Sequence, residues 1–532
     1  MSSFANYFGD FFGVTEKRCT FAKREILMFL ALQKGMIKKG TFDSKNIELL
    51  SIKRLFKHTA IYGLATVMPR VLNLVLTPLH TSARTLSQAQ YGLYQGLFAY
   101  MILGNVLLTY GMETAFFRFM NKEADAKKVA STSLTSLMVS SLAFLVVGLL
   151  CSAYIAQWLS YPAAYIRYAI WILALDTLVA IPFAWLRNSG QSLHYSLIKI
   201  GNVVINLGLN LLFLLYLPYL KHRGYELPTF SLISDKTQYI FMANLIASLL
   251  TFVYMLPLYR CIGLSWDRVL WQRMLRYAFP ILVAGIAFSV NEAFDRVFIR
   301  MLYPADQADA VVGLYAGCYK MGVFMTLFIT AYKLGVEPFF FSNATDKNAP
   351  ATYAKVTEYF CIFAGGILLF VCIYIDQLKW LLIPNKTYWE GLKIVPFVLM
   401  ANLCLGLYHS MSVWYKVTDR TYWGALISVV GGVITVVANL SLIPLWGYMG
   451  AAVATFLAYG GMMVLSGWLG QRYYPVPYHW VRIGGFLGLS VALSLLYFYV
   501  LDRNIWIGSG LFALYAIVAI KLVMNSKLTP NP

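Results

Sequence analysis

The stretch Tyr277–Tyr303, YAFPILVAGIAFSVNEAFDRVFIRMLY, sets five polar groups inside a run otherwise long and apolar enough to cross a bilayer. At 1.5 Å per residue, the roughly 20 residues from Ile281 to Met301 cover the hydrocarbon thickness of about 30 Å. Glu292, Arg296 and Arg300 recur every four residues and form one stripe of such a helix. Asn291 and Asp295 form a second stripe about 100° away. A charge at mid-bilayer costs about 2.5–3.5 kcal/mol on insertion scales, so groups of this kind face a bundle interior or a water-filled cavity. The two stripes predict a cavity wall; an internal Glu292–Arg296 pair that only holds helices together is the plainer alternative.

Further ionisable residues fall inside apolar runs elsewhere: Arg70 beside Pro69, Asp176, and Lys320. Basic groups on three separate helices suit a compact anion, because arginine offers a planar donor fork to phosphate oxygens and lysine adds a point charge. A pyrophosphate-linked lipid is one such ligand. Arg70, Asn291, Arg296, Arg300 and Lys320 are therefore the expected lining of a substrate cleft. Asp176, Glu292 and Asp295 carry two readings, as binders of a coupling proton or sodium ion and as counter-charges to the arginines. Glu113, Arg118, Lys333 and Glu337 lie near the ends of apolar runs, where snorkelling lowers the cost of charge, and are expected to be structural or gating. The six histidines and seven cysteines show no metal-ligand, nucleophile or disulfide spacing, so no catalytic residue, metal site or cofactor is predicted.

These residues need helices to hold them, and the composition supplies them. Hydrophobic residues make up 59% of the chain, charged ones only 12%, and the mean hydropathy is +0.64. An average soluble domain is about 25% charged. The pattern is that of an all-α polytopic membrane protein with about fourteen spans, near 57–80, 91–115, 131–154, 162–186, 196–218, 238–258, 279–302, 310–334, 355–375, 389–412, 421–444, 447–469, 481–501 and 504–524. The net charge of +20 is read as cytoplasmic loops rather than a nucleic-acid surface. Basic residues crowd one set of alternate loops, which places both termini in the cytoplasm, as an even number of spans requires. Residues 1–54 form a basic cytoplasmic segment with no expected signal peptide, and Met36 is an alternative start.

Two phrases recur. YGLYQG at Tyr91 returns as VGLYAG at Val312, and YGMETAFFRF at Tyr110 returns as LGVEPFFFS at Leu334, each about 220 residues later. A weaker match sets Asn210 against Asn439. Two six-helix halves of like topology follow, an N-lobe over 55–258 and a C-lobe over 277–470. An interfacial linker helix at 259–276 joins them, and helices 13–14 and the tail fill 471–532. Transporters built from such repeats bind substrate between the halves and alternate access by rocking them. The pairs Gly92/Gly96 and Gly313/Gly317 are expected to permit close helix packing.

The words YGLATVMPRVLNLVLTPLHT, YGLYQGLFAY, LLTYGMETAFFRF, NEAFDRVFIR, VGLYAGCYKMGVFMTLFITAYKLGVEPFFF and TYAKVTEYF resemble the polysaccharide-biosynthesis flippases of the multidrug/oligosaccharidyl-lipid/polysaccharide exporter (MOP) superfamily. The resemblance covers about 52–525. It implies a V-shaped, MATE-like fold of two six-helix bundles plus two trailing helices, alternating access and a cationic cleft. It further implies outward passage of undecaprenyl-pyrophosphate-linked oligosaccharide across the bacterial cytoplasmic (inner) membrane. Membrane lipids and a polysaccharide polymerase machinery are the implied partners, with no nucleic acid. Arg70, Arg296 and Lys320 match basic positions within the family phrases; Asp176 has no such match. Alternatives are a MATE-type multidrug cation antiporter, which should present carboxylates rather than base, and a membrane-bound polymerase or ligase, which would need outward loops larger than 217–238.

Overall fold

The computed structural model describes residue 63 and residues 67–528, apart from 124, 225–234, 344–345, 347 and 502. The basic segment 1–54 and the centre of the loop at 217–238 lie outside the described residues. Among the described residues the chain is helical, without strands. Twelve helices are long and apolar enough to cross a membrane, from Gln88–Met120 to Trp480–Tyr499. They coincide with the second to thirteenth expected spans. Of the first expected span, residues 67–81 are described and helical, and the fourteenth is the shorter apolar helix Ile505–Lys521. Among the described residues the expected fourteen spans thus correspond to twelve full spans and one shorter apolar helix. Large apolar side chains such as Val146, Leu150, Val437, Leu445 and Ile520 point outward from these helices, as lipid-facing surfaces require.

The expected separate linker helix is corrected. The chain turns at Gly263, whose φ is +79°, and restarts where Asp267 Oδ1 accepts the Leu270 amide at 2.9 Å. From Arg268 to Leu302 the helix is continuous through Pro280. Nothing between Arg276 and Tyr277 stops a helix. Proline's missing donor is tolerated in a membrane span, where neighbouring groups and local adjustments compensate.

Helix contacts gather into two compact units. One comprises Gly104–Leu212 with Gln238–Leu282. Its core joins Met112, Phe116, Phe119, Val129, Ile181, Met274 and Ala278. Leu270 and Met274 are buried there, which is why the former linker segment is held against the other helices. Gly111, at φ +73°, breaks the second span between Thr109 and Met112; a Cβ there would sit 2.8 Å from the Ala278 carbonyl oxygen. Ion pairs tie the polar ends: Arg187–Glu113 at 3.0 Å, Arg273–Glu123 at 2.6 Å and Lys128–Asp267 at 2.5 Å.

The other unit comprises Arg70–Leu103, Phe213–Thr237 and the chain from Val283 onward. Here the two repeated glycines meet. A Cβ on Gly92 would lie 1.7 Å from the Asp309 carbonyl oxygen, and one on Gly313 would lie 2.0 Å from that of Gln88. The helices that start at Gln88 and Ala305 therefore cross backbone to backbone in their opening turns, which supports the packing reading. Behind them, the Val395–Met411 helix is buried along nearly its whole length.

The last two helices dock on Ala349–Ile373 through Ile362, Leu369, Phe486, Tyr497 and Tyr515. Buried Glu358 anchors this joint, with Arg482 Nη1 and His479 Nδ1 each at 3.5 Å. Arg482→Ala strips the buried carboxylate of its permanent cation. The expected loss is about 2 kcal/mol, below the roughly 3–5 kcal/mol of a fully buried pair because Arg482 is half exposed. Thermal unfolding of the purified protein should show it, and Glu358→Gln should restore most of the loss in the Arg482→Ala background.

Candidate substrate site

Arg296 and Asp295 lie on the Arg268–Leu302 helix, about 9 Å short of its C-terminal end at 1.5 Å per residue. Both are buried, at 8% and 3% exposure. Asp295 Oδ1 accepts the Arg296 amide at 2.8 Å and faces Arg296 Nη1 at 3.4 Å. Its Oδ2 accepts the Tyr315 hydroxyl at 2.6 Å. The guanidinium carbon sits 5.0 Å from the centre of the Tyr319 ring. Asp295 and the two tyrosines thus fix the plane of the guanidinium, while Arg296 Nε is buried without a hydrogen-bond partner. An unsatisfied buried donor costs about 1–3 kcal/mol, more when charged, so this nitrogen is poised for an acceptor.

Lys320 brings a second cation to the same place. It opens a three-residue 3₁₀ turn, Lys320–Gly322, between the Ala305–Tyr319 and Val323–Ser342 helices. Such mid-helix breaks are frequent at functional positions. Lys320 lies within electrostatic reach of Arg296, and among the described residues its ammonium forms no ion pair or hydrogen bond. Arg70 is exposed on the 67–81 helix. Glu292 is also exposed and feels both Arg70 and Arg296. The Glu292–Arg296 pair of the alternative reading is not formed at ion-pair distance; Arg296 folds back onto Asp295 instead. Three cations against two carboxylates leave one positive charge uncompensated.

The remaining expected residues are placed as follows. Asn291 points away from this group. Its Oδ1 accepts the Thr435 hydroxyl at 2.7 Å, and its Nδ2 lies 3.4 Å from the Ser428 carbonyl, so it cross-links the Arg268–Leu302 and Tyr422–Trp446 helices. Arg300 Nε donates to Asp309 Oδ1 at 2.7 Å, beside the glycine crossing. Asp176 lies in the first unit, where Ser248 donates to its Oδ1 at 2.8 Å and Lys199 reaches it electrostatically. Glu113 pairs with Arg187, and Arg118 lies 4.1 Å over the Tyr277 ring. Glu337 takes Lys416 at 2.6 Å, and Lys333 feels that pair and Arg70. Lys199 stood visibly inside an apolar run, SLIKIGNVVINLG, and was passed over; Tyr315 and Tyr319 carried no signal of their own.

Twelve helices long and apolar enough to cross a membrane, among the described residues, define a polytopic membrane protein. The solved structure of lipid II flippase MurJ in an inward closed conformation matches 88% of this chain and 100% of its own, with a TM-score of 0.69 at 13% identity. A multidrug resistance MATE family transporter of the MOP superfamily, in an outward-facing conformation, matches 81% of this chain and 96% of its own, with a TM-score of 0.56 at 13% identity. A MOP superfamily transporter from Pyrococcus furiosus Vc1, described as having a binding pocket of reverse polarity, covers 82% and 96% with a TM-score of 0.57 at 13% identity. The fold is therefore the MurJ/MATE-like fold of MOP transporters. The family model for polysaccharide biosynthesis proteins matches residues 55–343, more than half of the 532 residues, and the chain belongs to that family. No curated protein matches it in sequence.

Proposed function

We propose that this transporter is a flippase that carries undecaprenyl-pyrophosphate-linked oligosaccharide from the inner to the outer leaflet of the bacterial cytoplasmic membrane. The observation that carries the reading is Lys320, an intramembrane ammonium that meets no carboxylate among the described residues, beside Arg296 with its orphaned Nε. A diphosphate supplies what both lack. Its oxygens accept from Nε and from the ammonium, while Asp295 and Tyr315 hold the guanidinium in place. Arg70 supplies a third cation on the approach. An inside-negative potential favours outward movement of the bound anion by about 2.3 kcal/mol per charge per 100 mV, which limits the need for a coupling ion. Glu292 and Asp176 are the carboxylates left for a proton or sodium ion.

In this reading the lobes over 55–258 and 277–470 rock about the cleft, both termini are cytoplasmic, and the product passes to a polymerase machinery. The MurJ relationship in fold supports a lipid-linked cargo. A drug antiporter would present carboxylates to its cation; here Asp295 is committed to Arg296 and Tyr315, and exposed Glu292 is outnumbered by Arg70, Arg296 and Lys320.

The test is outer-leaflet appearance of lipid-linked oligosaccharide in sealed vesicles, with a cationic dye followed in parallel. Wild type should move the lipid and not the dye. Arg70→Ala and Arg296→Ala should each cut lipid movement at least tenfold while the protein stays folded in the membrane by size exclusion. Dye movement without lipid movement would assign the chain to the antiporters.

A further inference from the structure

Another group of cations lies on the same unit, away from Arg296 and Lys320. Glu337, Phe340 and Phe341 of the Val323–Ser342 helix, with His409 and Lys416, line a shallow recess. Lys416 Nζ stands 2.6 Å from Glu337 Oε1, and both side chains are partly exposed, at 24% and 35%. Lys333 precedes Glu337 by four residues, on the same stripe of its helix. It feels Glu337, Lys416 and Arg70, and among the described residues its ammonium makes no ion pair or hydrogen bond. His409 feels both lysines. One carboxylate thus faces two ammonium groups, and even with a neutral imidazole the recess holds an unbalanced positive charge beside buried Phe340.

We infer that Lys333, Lys416 and His409, gathered around Glu337, form a second phosphate-binding station, in which Glu337 occupies the place of the incoming anion. The inference rests on the proposed lipid-diphosphate cargo and adds a loading step to it. A phosphate group that reaches the recess displaces Glu337 from Lys416 and gains Lys333, while exposed Phe341 offers apolar surface to the first prenyl unit. Arg70 joins the two stations, since it reaches Lys333 on one side and Glu292 on the other. The diphosphate then passes from Lys416 and Lys333 by way of Arg70 to Arg296 and Lys320 without an uncompensated anion in the bilayer.

The experiment measures binding of farnesyl diphosphate, with inorganic pyrophosphate alongside, to the full chain in nanodiscs by titration calorimetry. In an Arg296→Ala background, which disables the first station, the wild-type recess should still bind farnesyl diphosphate. Glu337→Gln should tighten that binding several-fold because the resident anion is gone. Lys333→Gln, which breaks no ion pair, should weaken it at least tenfold, and a melting curve confirms that the variant folds. Pyrophosphate should bind more weakly than the farnesyl form, because only the latter uses Phe341. Binding that Glu337→Gln and Lys333→Gln leave unchanged would overturn the second station, as would complete loss of binding with Arg296→Ala alone. Wild-type translocation of lipid-linked oligosaccharide in vesicles, run on the same preparation, separates the two failures. Intact translocation with no effect of the recess variants rejects only the station, and absent translocation rejects the cargo itself.

Discussion

Lys320→Met is expected to give a protein at least as stable as the wild type that exports at least tenfold less. The ammonium lies within a membrane-spanning segment, close to Arg296, and has no anion to offset it among the described residues. Holding a charge in such surroundings costs about 2.5–3.5 kcal/mol on insertion scales. Methionine fills a similar volume without that cost. A residue kept for architecture would behave the opposite way, since its removal would lower stability. Melting temperature and vesicle export measured on the same preparation separate the two roles. Unchanged export with raised stability would remove Lys320 from the site.

Gly92→Ala and Gly313→Ala carry the second large effect. A methyl group cannot stand 1.7 Å from the Asp309 oxygen or 2.0 Å from the Gln88 oxygen, so the two opening turns must separate. Overpacking of this kind costs about 1–3 kcal/mol or more, and 1.4 kcal/mol is already tenfold in population. Each variant should unfold at lower temperature and lose export at least tenfold, because the state with these turns in contact is part of the cycle. Gly201→Ala is the control: nothing lies within 4 Å of its added Cβ, and helix propensity favours alanine. If Gly92→Ala matches that control in both stability and export, the crossing does no work in transport.

How much of this was legible in the sequence differs from residue to residue, for physical reasons. Arg296 and Lys320 were readable because charges inside apolar runs are rare and costly. Close packing at Gly92 and at Gly313 was readable because a repeated small-residue spacing has few other uses; that the two glycines meet each other was not. The partners of Asn291, expected as cleft lining, were not legible. Helical periodicity tells which residues share a stripe, but not which neighbour the stripe meets, and Thr435 and Ser428 come from a helix well over a hundred residues later. The partner of Arg300 was hidden for the same reason, since Asp309 belongs to the next helix. Four-residue spacing offered Glu292 as a partner of Arg296 only in the alternative reading of that stripe. The adjacent Asp295 prevails because its carboxylate also takes the Arg296 amide and the Tyr315 hydroxyl, which spacing on one helix does not reveal. The linker was divided from the seventh span by composition alone, although no residue at the junction stops a helix.

The central claim is that uncompensated intramembrane cations recognise a diphosphate. The most direct measurement compares translocation of one oligosaccharide on two lipids in sealed vesicles holding the purified protein, undecaprenyl diphosphate in one case and uncharged undecaprenol in the other. The account predicts that the diphosphate form reaches the outer leaflet at least tenfold faster, and that Lys320→Met abolishes most of this difference. Equal translocation of the two lipids would contradict it.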